Sequence, residues 1–218
     1  MSRRYPADAL EKHFSHVKSA VRFLSLVPSK RKFSGIREKR GPVWLILGPS
    51  GAGKSCFGRW LEAEQNWLHL EVDRYPEDGI DSHNLRGEWD EFYRHGNPND
   101  LAGALQQRLE PGSKTRGVLT FPGNLVLSPD QMTAATQTGM RTIYLYGSAA
   151  HCITAFLNRE RQTGRNLDLR HWLDHNRESY MRMSEPAFDP YRIHVFTHMG
   201  THRPHAHVFG ELLTRERQ

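Results

Sequence analysis

A glycine-rich segment that ends in Gly53-Lys54-Ser55 carries the clearest chemical signal in this sequence. It follows the apolar run 43–47, begins at Gly48 and fits the spacing G-x-x-x-x-G-K-[ST], in which a loop between a strand and a helix cradles phosphates. Glycines allow backbone conformations that a Cβ forbids, so consecutive N–H groups can turn toward an anion. The predicted nucleotide-binding residues are Gly48, Pro49, Ser50, Gly51, Ala52, Gly53, Lys54, Ser55 and Cys56.

Two side chains of this loop have separate predicted tasks. Lys54 supplies a positive charge for the outer phosphates of ATP and is a predicted catalytic residue, and the hydroxyl of Ser55 is placed to bind Mg²⁺. The helix predicted to start at Lys54 points the positive end of its dipole at the same phosphates. The sequence thus predicts ATP and Mg²⁺ as cofactors, and it lacks the Asn-Lys-x-Asp pattern that reads guanine.

Two acids, Glu71 and Asp73, follow the next predicted strand and are two residues apart. On an extended segment their side chains point the same way, so both can face a ligand beyond the strand end. Glu71 is a predicted Mg²⁺ ligand, and Asp73 is predicted to orient an acceptor hydroxyl and to accept its proton during phosphoryl transfer. The alternative is a pair of surface acids at a strand end.

Three arginines surround Gly164 in the segment 158–168. Arginines on a mobile segment can close over bound phosphates, exclude water and stabilise the charge of the transition state. The sequence therefore predicts a mobile lid at about 158–168, with nucleotide-binding Arg159 and Arg161 and catalytic Arg165. A solvated, charged helix end is the alternative.

The stretch 76–97 is polar and aromatic, and we interpret it as a loop-rich insertion for substrate recognition. Within it, Arg86 and Arg94 could hold an anionic group, and Trp89 or Phe92 could hold a ring. The alternative for each of these side chains is a structural role.

From residue 41 onward, short apolar strands alternate with helical stretches, which predicts a parallel sheet covered on both faces. Predicted strands are at 43–47, 68–72, 117–121, 142–146 and 192–197. Predicted helices are at 54–65, 98–110, 129–138, 148–160, 168–184 and 204–216. The fold class is therefore a three-layer α/β domain with a doubly wound, five-stranded parallel sheet. In such sheets, ligands bind beyond the carboxyl ends of the strands.

The charge of the 218-residue chain is unevenly distributed. Residues 1–40 hold eleven Lys and Arg against three acids, a net charge of +8, whereas 41–218 carry −2. Within 6–27, one stripe of apolar residues predicts an amphipathic helix, formed by Leu10, Phe14, Val17, Val21 and Leu24. Three roles stay open for this basic helix and linker: packing on the domain, a weak contact with an anionic nucleic acid or membrane surface, or targeting.

No apolar run reaches the length that a bilayer requires, which excludes a membrane-spanning class. Cys56 and Cys152 are the two cysteines and cannot form a disulfide framework, so we expect a cytoplasmic location. The C-terminal part is rich in histidine, but no cysteine or acid pattern completes a metal site there.

With these motifs in place, residues 41–216 resemble the small P-loop kinases of the shikimate kinase, gluconate kinase and nucleoside monophosphate kinase group. The resemblance implies a sheet with the strand order 2-3-1-4-5. It also implies that Glu71 serves Mg²⁺ and that Asp73 contacts the acceptor hydroxyl. Arg159 and Arg165 fall where these kinases carry lid arginines, one near adenine and one reaching the phosphates.

The resemblance implies two further substrate-binding residues, Gly123 and Arg177; Gly123 could also let the backbone approach a ligand, with a plain turn as the alternative. Gly123 falls near the glycine-rich turn after the third strand, and Arg177, in Arg177-Glu178-Ser179-Tyr180, falls where these kinases bind an acceptor carboxylate. Residues 76–97 do not match the shikimate-binding pattern. The resemblance therefore implies the fold and the phosphoryl-donor chemistry, and it does not imply shikimate as the acceptor.

Together these features predict an ATP- and Mg²⁺-dependent phosphotransferase that acts on a small hydroxylated or anionic metabolite. The alternative is a nucleotide-binding regulatory or nucleic-acid-associated protein that uses residues 1–40 as a docking arm. No acid ends the third predicted strand, where motor ATPases and GTPases usually hold the metal, and this argues against those two classes. A catalytically silent nucleotide-binding protein is a third alternative.

Overall fold

The computed structural model describes residues 43–72, 85–109, 116–120, 126–164 and 168–216. The predicted N-terminal amphipathic helix lies outside the described residues, so this helix and the domain boundary near residue 40 stay predictions. No helix within the described parts of the chain is long and apolar enough to cross a bilayer.

Five parallel strands form one sheet in the order β2-β3-β1-β4-β5. Their bounds are β1 Val43–Leu47, β2 Leu68–Glu71, β3 Gly117–Thr120, β4 Met140–Tyr146 and β5 Arg192–His194. This confirms the predicted sheet and the strand order that the resemblance implies. The fifth strand is shorter than predicted, because the chain reverses after Val195 and Phe196 forms an antiparallel bridge with His202.

Within the described residues, seven helices connect and flank the strands. They are α1 Lys54–Gln65, α2 Arg86–His95, α3 Asn99–Leu109, α4 Pro129–Gln137, α5 Ala149–Thr163, α6 Leu169–Met183 and α7 His205–Glu216. A 3₁₀ helix spans Pro186–Tyr191 before β5. Six of the seven helices lie where the sequence predicts them, within three residues at each end.

The interpretation of 76–97 as a loop-rich insertion is wrong for its second half. Residues 86–95 form α2, and Leu85, Trp89 and Phe92 are completely buried in the core. Their spacing of four and three residues places them on one face of a helix. A ring-binding role for Trp89 or Phe92 is therefore excluded, because neither side chain reaches the surface.

The strand β1 is buried along its whole length, and its residues alternate between two apolar layers. Val43, Leu45 and Leu47 pack with residues of α2, α3 and α4, whereas Trp44 and Ile46 pack with residues of α1 and α7. A central strand covered on both faces is the expected state of a parallel sheet. The arrangement confirms three layers and fixes the end of β1 at the middle of the sheet's carboxyl edge.

Capping residues determine where α5, a helix that borders this edge, begins and ends. The side chain of Ser148 caps α5 by accepting a hydrogen bond from the backbone N–H of His151. At its other end, α5 stops at Gly164, whose left-handed backbone, with φ +65°, suits glycine. Residues 158–163 of the predicted lid are thus the last turns of α5, and 165–167 lie outside the described residues.

Candidate functional site

The loop between β1 and α1 can be built only with glycine at two of its positions. Gly48 has φ +139° and Gly51 has φ +85°, in the region that residues with a Cβ rarely adopt. A Cβ on Gly48 would overlap the carbonyl oxygen of Leu145 in β4, and a Cβ on Gly51 would overlap that of Cys152 in α5. The backbone of the loop therefore packs directly against the backbones of β4 and α5.

The side chain of Lys54 folds back over this loop. Lys54 is buried, and its ammonium donates hydrogen bonds to the carbonyl oxygens of Gly48, at 2.8 Å, and Pro49, at 3.0 Å. The backbone N–H of Ala52 also points at the Pro49 oxygen, at 3.2 Å. A side-chain donor and a backbone donor therefore already converge on one oxygen inside the loop.

The start of α1 is also suited to an anion. Gly53 occupies the N-cap and has no side chain that could cap the helix, and the first turn contains no acidic residue. The first N–H groups of a helix carry a partial positive charge. Ser55, which is half-buried, and Cys56, which is exposed, stand on this first turn beside Lys54.

A histidine from the far end of the chain contacts the loop from outside. The ring Nε2 of His202 lies 3.1 Å from the carbonyl oxygen of Gly51. A carbonyl oxygen only accepts, so the nitrogen must be the donor. Sequence reasoning did not single out His202, which lies 151 residues beyond Gly51 and belongs to a histidine-rich stretch with no distinguishing pattern.

Glu71 ends β2 at the same carboxyl edge. It pairs with Thr120 of β3, which in turn pairs with Ile46 of β1. Two strand spacings place the backbone of Glu71 about 10 Å from that of Ile46, just before the loop. A carboxylate there can reach a cation at the loop through its side chain or a water molecule. Asp73 and Gly123 lie outside the described residues.

The predicted lid arginines divide between described and undescribed residues. The guanidinium of Arg159 pairs with Glu160, with its Nε 2.8 Å from Oε1, and lies 5.0 Å from the ring centre of Phe156. Phe156 stacks on Trp172 of α6 with 3.6 Å between ring centres. Arg161 is exposed, and Arg165 is not described. Arg159 is seven residues beyond Cys152, about 10 Å along the helix from the loop contact.

The predicted acceptor residues are only partly described. Arg177 on α6 is 75 % exposed and lies 3.7 Å from the carboxylate of Asp174. It borders a cavity of about 580 Å³ between α5 and α6. The cavity is lined by Tyr146, Ala149, Ile153, Leu173, Arg177, Tyr180, Met181 and Ser184. For Arg86, the structure describes the backbone at the start of α2 and not the side chain.

The arrangement of the loop is suited to the phosphates of a nucleoside triphosphate. Lys54 and the backbone N–H of Ala52 both donate to the Pro49 oxygen, so the loop brings two donors together where a phosphate oxygen could accept from them. The hydroxyl of Ser55 and the carboxylate of Glu71 are hard oxygen ligands of the kind that Mg²⁺ prefers. These residues would hold the phosphates and the cation. Asp73 and Arg165 lie outside the described residues, so the closing of an arginine lid and the role of Asp73 stay predictions.

Comparisons with known proteins give a match in structure and none in sequence. No protein-family model matches the chain, and no curated protein sequence matches it. A gluconokinase from Sinorhizobium meliloti 1021 is 18% identical in sequence, and the match has a TM-score of 0.45. It covers 83% of this chain and 94% of the gluconokinase chain. A shikimate kinase from Acinetobacter baumannii, solved with shikimate, is 19% identical, covering 80% and 92%, with a TM-score of 0.44.

A third structure, the shikimate kinase from Aquifex aeolicus, is 20% identical, covering 79% of this chain and 94% of its own, with a TM-score of 0.39. All three carry names from the kinase group that the sequence resembles. With TM-scores below 0.5 and identities of 20% or less, we rest no functional conclusion on them. The chain resembles small P-loop kinases in its loop motif and in its strand order.

Proposed function

We propose that this protein is an ATP- and Mg²⁺-dependent phosphotransferase that acts on a small hydroxylated or anionic metabolite. The observation that carries the proposal is the convergence of the Lys54 ammonium and the Ala52 N–H on one oxygen inside a loop that glycine alone permits. This geometry suits the outer phosphates of a nucleotide better than any uncharged ligand.

The donor side of the reaction uses the loop and the first turn of α1. Backbone N–H groups from Gly48 to Ser55 would hold the phosphates, and Lys54 would exchange its bonds to the loop carbonyls for bonds to the outer phosphates. Ser55 and Glu71 would hold Mg²⁺, which when bound would neutralise part of the phosphate charge. The catalytic contribution of the chain is therefore positioning and charge stabilisation.

The acceptor side depends on residues that follow β2 and on α6. Asp73, two residues beyond the end of β2, would orient the acceptor hydroxyl and take its proton as the hydroxyl oxygen attacks the γ-phosphorus of ATP. The bond from that phosphorus to the β–γ bridging oxygen breaks, and ADP leaves. Arg165, with Arg159 and Arg161, would close over the phosphates and exclude water. Arg86, Gly123 and Arg177 complete the proposed acceptor site, and the cation of Arg177 favours an acceptor with a negative group.

The proposal is tested with ATP labelled at the γ-phosphate and a panel of acceptors. The panel contains sugars, polyols, carboxylic acids, nucleosides and nucleoside monophosphates, and label transfer to each acceptor is followed by mass spectrometry. We expect one acceptor class to receive the label, and the same class to raise the melting temperature further in the presence of ATP. Asp73→Asn should retain ATP binding within a few-fold and reduce turnover by about 10²-fold or more.

One outcome would argue against this function, and another would argue against the role of Asp73. If ATP binds and no acceptor class receives label, the nucleotide-dependent regulatory alternative is favoured, and binding of nucleic acid with and without residues 1–40 is the next measurement. Unchanged turnover in Asp73→Asn would remove Asp73 from the mechanism. Deletion of residues 1–40 should leave ATP binding intact if they form a separate appendage.

A further inference from the structure

A short reverse turn after β5 brings His202 to the phosphate loop. Val195 and Phe196 lead into the turn, and His202 and Arg203 lead out of it toward α7. Backbone hydrogen bonds close it at two levels, from Thr197 N to Thr201 O at 2.8 Å and from Arg203 N to Val195 O at 2.8 Å. The turn therefore has a defined shape of its own and can act as a support.

Side chains fix this turn against the loop's neighbours. The hydroxyls of Thr197 and Thr201 lie 2.8 Å apart within the turn. The ring of His202 lies on the ring of Phe196, with 4.3 Å between their centres. Phe196 in turn fits against Gly147, where a Cβ would overlap its ring. The exposed side chain of His202 is thus held by its contact with Phe196 as well as by its own hydrogen bond.

Gly51 is held on two sides by these contacts. Its α-carbon lies against the backbone of α5, where an added Cβ would overlap the carbonyl oxygen of Cys152. Its carbonyl oxygen accepts the hydrogen bond of His202. The peptide bond between Gly51 and Ala52 is planar and trans, so its C=O and N–H point in opposite directions. Holding the oxygen outward therefore directs the Ala52 N–H into the loop, where it meets the Pro49 oxygen.

We propose that His202 is a positioning residue for phosphate binding: by donating to the Gly51 carbonyl oxygen, it holds the Ala52 N–H in the direction that a phosphate oxygen needs. The inference rests on the proposed function for its biological meaning, and its physical content concerns binding of the phosphate chain alone. His202 acts through the loop backbone, and no contact between its ring and the ligand is required.

The size of the effect follows from one neutral hydrogen bond. Such a bond stabilises a structure by an amount that corresponds to about a three- to tenfold change in affinity. The loss should concern any ligand that places phosphates in the loop, with or without a base. A role of His202 in contacting the base would instead affect nucleotides only.

Two substitutions test the hydrogen-bond donor and the aromatic ring of His202 separately. His202→Gln keeps an N–H donor at a similar reach, and His202→Phe keeps an aromatic ring against Phe196 and removes the donor. His198→Phe is the matched control, because His198 is an exposed histidine of the same turn. For the full chain and each variant, calorimetry measures the dissociation constants of ATP and of inorganic tripolyphosphate, and melting temperatures without ligand monitor folding.

We expect His202→Phe to bind both ligands about three- to tenfold more weakly, with His202→Gln close to wild type and His198→Phe unchanged. The inference is overturned if His202→Phe binds tripolyphosphate as wild type does, or if His202→Gln loses as much affinity as His202→Phe. A wild-type chain that binds neither ligand would overturn both this inference and the proposed function. Failure of phosphoryl transfer with normal binding of both ligands would contradict the proposed function alone.

Discussion

The ammonium of Lys54 lies 2.8 Å from the carbonyl oxygen of Gly48, six residues earlier in the same loop. This contact shows that the loop is closed around its own lysine, with the charge stabilised by carbonyl dipoles in a buried place. A phosphate would offer the ammonium a charged acceptor in place of a neutral one, which adds the attraction between opposite charges. The exchange favours anion binding without a rearrangement of β1 or α1.

Gly51→Ala should weaken ATP binding by more than tenfold. The new Cβ would overlap the carbonyl oxygen of Cys152, so the loop must move away from α5. Gly139→Ala is the matched control, because Gly139 has φ +84°, nearly that of Gly51, but open space around the position of its Cβ. Both variants carry the strain of a left-handed backbone, about 1–2 kcal/mol. Calorimetry that finds equal ATP affinity in the two variants would contradict the described packing of the loop.

Gly58→Ala should destabilise the fold by about 1–3 kcal/mol, the usual range for overpacking a core. A Cβ at Gly58 on α1 would overlap the imidazole of His69 on β2. That ring is buried and hydrogen-bonded to the hydroxyl of Thr120, at 2.8 Å, so it has little room to move.

The matched control for this prediction is Gly103→Ala in α3, where no atom lies within 4 Å of the added Cβ. Alanine in a helix is favoured over glycine by about 0.5–1 kcal/mol, so this variant should be neutral or slightly stabilised. Urea denaturation measures both. A Gly58→Ala protein as stable as Gly103→Ala would show that α1 does not pack on His69 as described.

The stability of the domain should fall as the pH is lowered through the range below 6.5. Burial lowers the pKa of His205 from its ordinary value of 6.5, and the neighbouring His202 adds to this effect. The unfolded chain then binds a proton at a higher pH than the folded chain, so acid favours unfolding. Melting temperatures between pH 5 and 8 should show this slope, and it should become smaller in His205→Gln. An equal slope in both proteins would remove His205 as a cause.

The two cysteines should react differently with iodoacetamide. Burial raises the pKa of the Cys152 thiol to about 11, so at neutral pH it is protonated as well as buried. Cys56 is exposed on the first turn of α1 and should be the residue that is alkylated. ATP with Mg²⁺ should slow this modification because the phosphates would lie beside Cys56. Peptide mass mapping that finds Cys152 modified first, or no protection of Cys56, would contradict this placement.

The fold could be predicted well from the sequence because its main signals are local. The apolar run Val43–Leu47 followed by Gly48 indicates a buried strand and a tight turn without reference to any other part of the chain. The helix α2 was missed because its polar residues outnumber its apolar ones, and its first turn contains Gly87. The spacing of Leu85, Trp89 and Phe92 was the signal that could have revealed it.

The sequence could predict the part of the candidate site that one motif contains, and it could not predict contacts that form between distant segments. Lys54 and the loop glycines are adjacent in sequence, so their spacing alone indicates a phosphate site. The contact between His202 and Gly51 depends on where β5 lies in the sheet and on a turn that closes through its own backbone, and no local pattern encodes it. Asp73, Gly123 and Arg165 stay predictions because they lie outside the described residues.

The most direct test of the central claim is calorimetric titration of the full chain with ATP and Mg²⁺, repeated with Lys54→Ala. We expect saturable binding to one site in the wild-type protein and loss of tight binding in Lys54→Ala, with an unchanged circular dichroism spectrum as evidence of folding. Equal affinity in the two proteins, or no binding in the wild type, would show that the loop between β1 and α1 is not a nucleotide site.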